Sequence, residues 1–439
     1  MIKLLQLLVC SAVIATVLSL SDDMRELYRK TQAKYGLPVV SSSQEDSKQH
    51  FAEFCEFVRG VEKHNNEDPD GFVAEVNMFA LMPRAERYDK WTGLNESDIM
   101  EQQRKSLSVM RGPVHIDFEK RQLQAAVDYT TKLPGVKQQG GCGSCWTFGA
   151  VAALEYQVNR ESKTVKSLSE QQYLDCVYEG SRDGCKGGWP AKCYDWTRDN
   201  GNMIATNGDY PYVASDGTCR GSAQGIKTGI KGYTVTGTKY LAQGDDAMKA
   251  AVSDASIGVI SVAFGVIDSF FSYKSGVYSG GNGCTSINHA MDVVGYGTDS
   301  GKDYWKVRNS WGAGWGLRGY VMIKRGGNTC SISKYGHYPV VTGSDGDGSD
   351  DGDDADDGDD GDDDKKTCKW ITRKDQKMKQ RIQGDVLKKA EAQKACEGSK
   401  ECNAVTCKNI NNCWLNKKPK GKTDTKFTGY VLKCKTKTS

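Results

Sequence analysis

Gln139-Gly140-Gly141-Cys142-Gly143-Ser144-Cys145-Trp146 is the stretch on which the fold and chemistry of this chain turn. Two cysteines three apart invite three chemistries. A zinc site would want a second Cys or His pair at ligand spacing, and none follows. A redox pair would want a strand–CxxC–helix setting, which the glycine-rich lead-in does not supply. A nucleophile needs a thiolate. From Trp146 to Arg160, apolar residues at Phe148, Val151, Leu154 and Val158 predict a helix with a buried stripe, so Cys145 stands where that helix begins. Unpaired N–H groups and the positive end of the dipole lower a thiol pKa at such a place.

A thiolate also needs a base, and the chain has five histidines. His50, His64 and His115 lie in the front segment. His337, before Tyr338-Pro339, reads as structural or merely exposed. His289 opens the strand-like run His289-Ala-Met-Asp-Val-Val-Gly-Tyr-Gly, where a side chain is aimed from a rigid element. An imidazole in this role needs an acceptor on its other nitrogen. Asn309 in Arg308-Asn309-Ser310-Trp311-Gly312 offers an amide oxygen, and Trp311 beside it can keep water away. Ala247–Val252 predicts a short helix, while Ile257–Phe264, Ala290–Tyr296, Tyr304–Arg308 and Gly319–Lys324 predict strands bounded by glycine. Helices early and strands late make an α+β domain.

Cys142-Gly-Ser-Cys145-Trp146, with His289 and Asn309 lying 144 and 164 residues beyond Cys145, resembles the signature of papain-family cysteine peptidases, nearest the cathepsin L-like branch. The resemblance covers residues 125–341 and, with more departures, 45–81. It implies a two-lobed papain-like fold, with a helical left lobe and a β-rich right lobe. It makes Cys145 the nucleophile, His289 the general base and acid, Asn309 its orienter and Gln139 the oxyanion-hole amide. It places Gly187, Gly188, Trp189, Pro190, Ile287 and Tyr335 around the pocket for the substrate's second residue, and Trp311 as an aromatic lid beside Asn309. It pairs Cys142 with Cys185, Cys176 with Cys219 and Cys284 with Cys330, leaving Cys193 as a buried small hydrophobe. No metal or organic cofactor is implied. Endopeptidase action on proteins or peptides is expected, since no His-rich insertion blocks the primed side.

Departures are visible too. Gly140-Gly141 replaces the family's Gly-Ser, the lead from Asp128 to Gln139 is two residues short, and Asp292 stands where an aliphatic residue is usual. In the front segment, the family's inhibitory-helix positions hold Asp46, His50, Phe54, Phe57, Val61 and Asn65, followed by Glu75-Val-Asn77-Met-Phe79-Ala-Leu81. The apolar positions survive while two ion-pairing ones weaken. Cys55 is expected as a free thiol on a helix face.

At 439 residues the chain has room for about three domains, and 38% hydrophobic with 26% charged residues excludes wholesale disorder. The net charge of +3 hides two opposed blocks: 13 Asp in 345–364, then 21 Lys/Arg against 6 Asp/Glu in 365–439. Charge therefore gives no whole-chain case for nucleic-acid binding. Sixteen cysteines suit an oxidising compartment. Lys3, the apolar run Leu4–Leu20 and Ser21-Asp22-Asp23 read as a cleaved signal peptide, hence a secreted or lysosomal/vacuolar protein; a spanning helix would need about 20 apolar residues with stop-transfer flanks. No later stretch is apolar enough to cross a membrane.

The expected divisions are a signal peptide 1–21, an inhibitory propeptide 22–122, a peptidase domain 123–342, an acidic Asp/Gly linker 343–364 and a basic six-cysteine module 365–439. Asp345-Gly-Asp347-Gly-Ser349 begins like a calcium loop, yet Asp350 replaces the required glycine and no Glu closes it, so the tract is taken as a self-repelling spacer. Asn95-Glu96-Ser97 is a candidate glycosylation acceptor. In the tail, Gly384–Cys396 predicts a helix and the regions of Ala404 and Trp414 predict short strands. That pattern resembles a PAN/apple-type module, which would bind carbohydrate or protein; another small disulfide knot is the alternative. A polyanion or glycan is the partner its charge suits. The rival reading of the whole chain is a polyanion- or glycan-binding protein whose tail defines its role.

Overall fold

The computed structural model describes residues 22–36, 44–94, 96, 99–100, 104, 124–162, 164–177, 184–220 and 228–344, and the tail strands 367–377, 404–409, 412–416 and 422–435. The expected signal peptide, the acidic tract 345–364, Asn95, Ser97 and the tail helix lie outside the described residues. The chain divides into two units, 1–349 and 350–439.

In the first unit, helix α1 (residues 22–35) and helix α2 (Gln44–Glu67) precede α3 (Arg84–Trp91). Phe54, Val58 and Val61 bury one face of α2. Asn65 at its end both donates to Ala74 O and accepts from Ala74 N, at 2.9 Å each. That clamp holds β1 (Val73–Ala74) against β5 (Tyr273–Ser275), so the front segment adds a strand to the body behind it. Asn77 then donates to Phe271 O at 2.8 Å, and the Phe79 ring meets those of Trp91, Phe271 and Trp311 at about 5 Å.

The body is helix α4 (Cys145–Asn159), α5 (Glu170–Cys176) and α6 (Pro190–Asp199) on one side, then a sheet carrying α7 (Asp245–Ser253) and the single turn α8 (Asp268–Phe271). The sheet runs in the order β3 (Tyr233–Tyr240), β10 (Gly336–Gly343), β4 (Ile260–Phe264), β7 (His289–Asp299), β8 (Lys302–Arg308), β9 (Tyr320–Lys324) and β6 (Val277–Tyr278), with β2 (Val127–Asp128) also on β7. Its pairs are antiparallel except β6–β9. Disulfides Cys142–Cys185, Cys176–Cys219 and Cys284–Cys330 are closed. Cys55 and Cys193 lie outside these disulfides and are buried.

Helix α4 departs from a one-striped helix. Every one of its residues is buried. Its other faces carry small Gly149, Ala150, Ala152 and Ala153, or polar groups with partners: Glu155 accepts from Lys137 Nζ and Leu168 N, and Gln157 donates to Ile257 O. A helix without an exposed face belongs in the middle of a molecule. The strands the periodicity predicts are present within three residues at their ends. Helices α5 and α6 were not anticipated, although Ser169 caps α5 by accepting from Gln172 N, and Pro190 sits at the first turn of α6. His337 is wholly buried in β10, which removes the exposed reading.

The second unit is a four-stranded antiparallel sheet, β11 (Thr367–Lys377), β14 (Lys422–Lys435), β12 (Ala404–Asn409) and β13 (Asn412–Asn416), in that order. Its register sets Cys368 opposite Cys434 and Cys407 opposite Cys413. No helix among the described residues is long and apolar enough to cross a membrane.

Candidate active site

Three elements converge on one cleft. Cys145 is the first residue of α4, His289 the first of β7, and Asn309 follows β8 directly. His289 Nε2 lies 2.8 Å from Asn309 Oδ1, an atom that also accepts from Ser310 N at 2.8 Å. An amide oxygen only accepts, so the proton sits on Nε2 and Nδ1 keeps its lone pair. Nδ1 has no hydrogen-bond partner. The Trp311 ring stands 5.0 Å from the imidazole and shields it. Cys145 Sγ accepts from Ala290 N at 3.4 Å, which puts the thiol at the head of the histidine strand.

Gln139 closes the group. Its Oε1 accepts from Ser310 Oγ at 2.6 Å, its backbone N donates to Ser310 O at 2.8 Å, and Tyr212 OH donates to its carbonyl at 2.7 Å. Its Nε2 is thereby aimed at Cys142 O, 3.0 Å away, and at Lys90 O of the front segment, 3.4 Å away. Gln139, Cys145, His289 and Asn309 are all buried.

What buries them is the front segment. Gly93 N and Leu94 N both donate to Asn288 O, Gly188 N donates to Gly93 O at 3.1 Å, and Trp311 Nε1 donates to Trp91 O at 3.1 Å. The fit is so close that a Cβ on Gly93 would fall 2.1 Å from Gly143 O and 3.3 Å from Cys145 Sγ. One on Gly187 would fall 2.6 Å from Gly93 O. Trp189, Ile287 and Tyr335 share a buried apolar cluster with Leu94, and Pro190 is buried beside Trp189. Nothing in the sequence singled out Trp91 to Leu94, whose importance lies in where the chain passes.

Burial overturns the electrostatic expectation for Cys145 in this capped state. Desolvation pushes the thiol up to about 12, more than backbone N–H groups at the helix start can offset. It pulls His289 down to about 4 against the hydrogen bond to Asn309. Thiol and imidazole are both neutral near pH 7, so covering the cleft both blocks and discharges it.

The family profile described as papain family cysteine protease matches residues 112–340. The chain belongs to that family. As a papain-family protease it is 34% identical to fruit bromelain from Ananas comosus, over 71% of this chain and 84% of the relative. It is 36% identical to cathepsin L1 of Drosophila melanogaster, over 66% and 78%. Among solved structures, digestive procathepsin L2 from the larval midgut of Tenebrio molitor superposes with a TM-score of 0.62 at 28% identity, covering 72% of this chain and 99% of that one. A recombinant stem bromelain precursor gives 0.61 at 30%, covering 72% and 98%. The chain is therefore a cysteine peptidase with a papain-like fold, and the segment in its cleft is an inhibitory propeptide of a zymogen.

Gly93→Ala should loosen that propeptide, because the added methyl would run into the Gly143 backbone. Turnover of a small fluorogenic peptide by the uncleaved chain should rise about tenfold or more over the parent; an unchanged basal rate would show that the segment yields without cost.

Proposed function

We propose that this protein is an endopeptidase whose Cys145 thiolate attacks the substrate carbonyl, made as a secreted or lysosomal/vacuolar zymogen. The observation that carries the reading is the 2.8 Å His289–Asn309 contact, which leaves Nδ1 as a lone-pair base beside a thiol at a helix start. Once the propeptide leaves, water returns to the cleft, and His289 takes the thiol proton. Sγ bonds to the carbonyl carbon, and the oxyanion is held by Gln139 Nε2 and Cys145 N–H. As the tetrahedral centre collapses, His289 protonates the departing amine and a thioester remains. His289 then takes a proton from water, whose oxygen attacks the thioester and returns the thiol. In this reading residues 1–21 are a signal peptide, 22–122 the propeptide, 123–342 the peptidase domain and 343–364 a spacer.

Trp189, Pro190, Ile287 and Tyr335, with Gly187 and Gly188 at the rim, form the pocket for the substrate's second residue. The company they keep with Leu94 supports an apolar pocket. The tail 365–439 is a PAN/apple-like module that binds a polyanion or glycan. Its 21 basic residues support this, as does a sheet with two register-matched cysteine pairs.

Alkylation of the acid-activated protein with iodoacetamide or an epoxide probe should modify Cys145; modification elsewhere, or none, would overturn the assignment. Gln139→Ala should lower kcat by about 10²–10³-fold with little change in KM. A peptide library should favour Leu, Val or Phe over Arg at the second position by about 10–200-fold. Equal cleavage would mean that the pocket holds a partner for a cation. Deleting residues 345–364 should raise the salt needed to elute the chain from heparin if the acidic tract masks the tail; unchanged elution marks it as a spacer only.

A further inference from the structure

Behind the catalytic pair, four adjacent strands place His337, Ser261, Asp292 and Arg308 side by side, since His337 opposes Ser261, Ser261 opposes Asp292, and Asp292 opposes Arg308. All four are buried. Asp292 and Arg308 also line a small, partly open cavity of about 10 Å³ together with Lys137, Glu155 and Glu170. Lys137 Nζ bonds Glu155 at 2.9 Å and Glu170 at 2.7 Å. Arg308 spends its guanidinium on Pro134 O, Gly135 O and Tyr320 OH. Asp292 Oδ1, Glu155 Oε2 and Glu170 Oε2 have no partner, and Asp292 is only 3% exposed.

Three carboxyl groups thus face two cations in a space with room for at most a water molecule. A hydrated counter-ion cannot enter. Leaving the excess negative charge uncompensated at this depth is costly, so a proton is what restores neutrality. We propose that Lys137, Glu155, Glu170, Asp292 and Arg308 form a buried proton-binding site that makes the protease unit most stable in acid and progressively less stable as pH rises. Asp292 creates the excess, because without it two carboxylates face two cations.

The electrostatics agree. Burial pushes Asp292 well up against the pull of Arg308, and pushes Glu170 up against that of Lys137. Burial works against the Lys137 charge too, but Glu170 and Glu155 outweigh it and hold that lysine above its ordinary value. Of the other titratable groups near Asp292, Tyr194 on α6 is held neutral by burial. His337, in the same row, is pulled down to about 3 by burial, which costs stability in acid and so opposes the effect of Asp292. A carboxyl whose pKa is higher folded than unfolded contributes its stability below the unfolded value of about 4, and loses it as pH climbs toward the folded value.

Thermal unfolding of the full chain at pH 5 and pH 8, in a Cys145→Ala background to prevent self-cleavage, reads this directly and needs no activity. Asp292→Asn and Asp292→Leu should shrink the fall in Tm between the two pH values by about 3–5 °C per unit of pKa shift removed. The Asn variant keeps the shape and decides the matter if the Leu variant does not fold. The same fall in Tm with and without the Asp292 carboxyl would overturn the proposal. Because unfolding is measured in a chain that lacks the proposed nucleophile, the result stands or falls apart from the catalytic assignment.

Discussion

Everything at the cleft depends on how closely α4 lies on the sheet. A Cβ on Gly149 would fall 2.8 Å from Ser261 Oγ and 3.4 Å from Ala290 Cβ, which shows how closely the helix backbone approaches β4 and β7 there. That approach brings Cys145 Sγ to Ala290 N and sets the thiol beside the histidine strand. The small residues flanking Gly149 serve the same end, and full burial of the helix is the consequence. A helix held further off would carry the Cys145 thiol away from the strand that His289 opens.

The same geometry explains how the zymogen is kept silent. The propeptide enters with its backbone, touching Asn288 O and Gly188 N where side chains would be too bulky. Its anchors lie elsewhere: Asn77 on Phe271 O, Phe79 among three aromatic rings, and Arg84 on Asp268 at 2.8 Å. Leu81 lies among the partly buried apolar residues packed on the same core. The contacts binding propeptide to protease are correspondingly apolar, with exposed ion pairs such as Arg84–Asp268 at the rim, where each contributes little. Docking therefore rests on buried aromatic surface, and its electrical effect is desolvation of the thiol and imidazole.

Polar groups are handled differently in the two buried regions. In the cleft Gln139 and Ser310 are matched to each other and to Asn309, while His289 Nδ1 and Asn309 Nδ2 have no hydrogen-bond partner. Behind it, charged groups outnumber their partners. Folded proteins rarely leave such groups unpaired, and the imbalance traces to the one position where an aspartate occupies an aliphatic place.

Much of the candidate site was legible in the sequence. Cys145, His289, Asn309 and Gln139 stand in short motifs that set local structure: a helix start for the thiol, a strand start for the imidazole, and a glycine-rich approach to the helix. The apolar run from Trp146 and the strand periodicities depend on neighbours a few residues away, and so did the main elements. The sequence could not show that α4 would lose its exposed face, that Trp91 to Leu94 would lie across Cys145, or that burial would push its thiol up. Nor could it show that His337, Ser261, Asp292 and Arg308 would align. Motifs and periodicity report what a residue needs from its immediate neighbours. Burial, register and charge balance are set by segments far apart in the chain, as in the pairing of Lys137 with Glu170, 33 positions on, or of Gly93 with Asn288 near its other end, and only the folded chain brings those together.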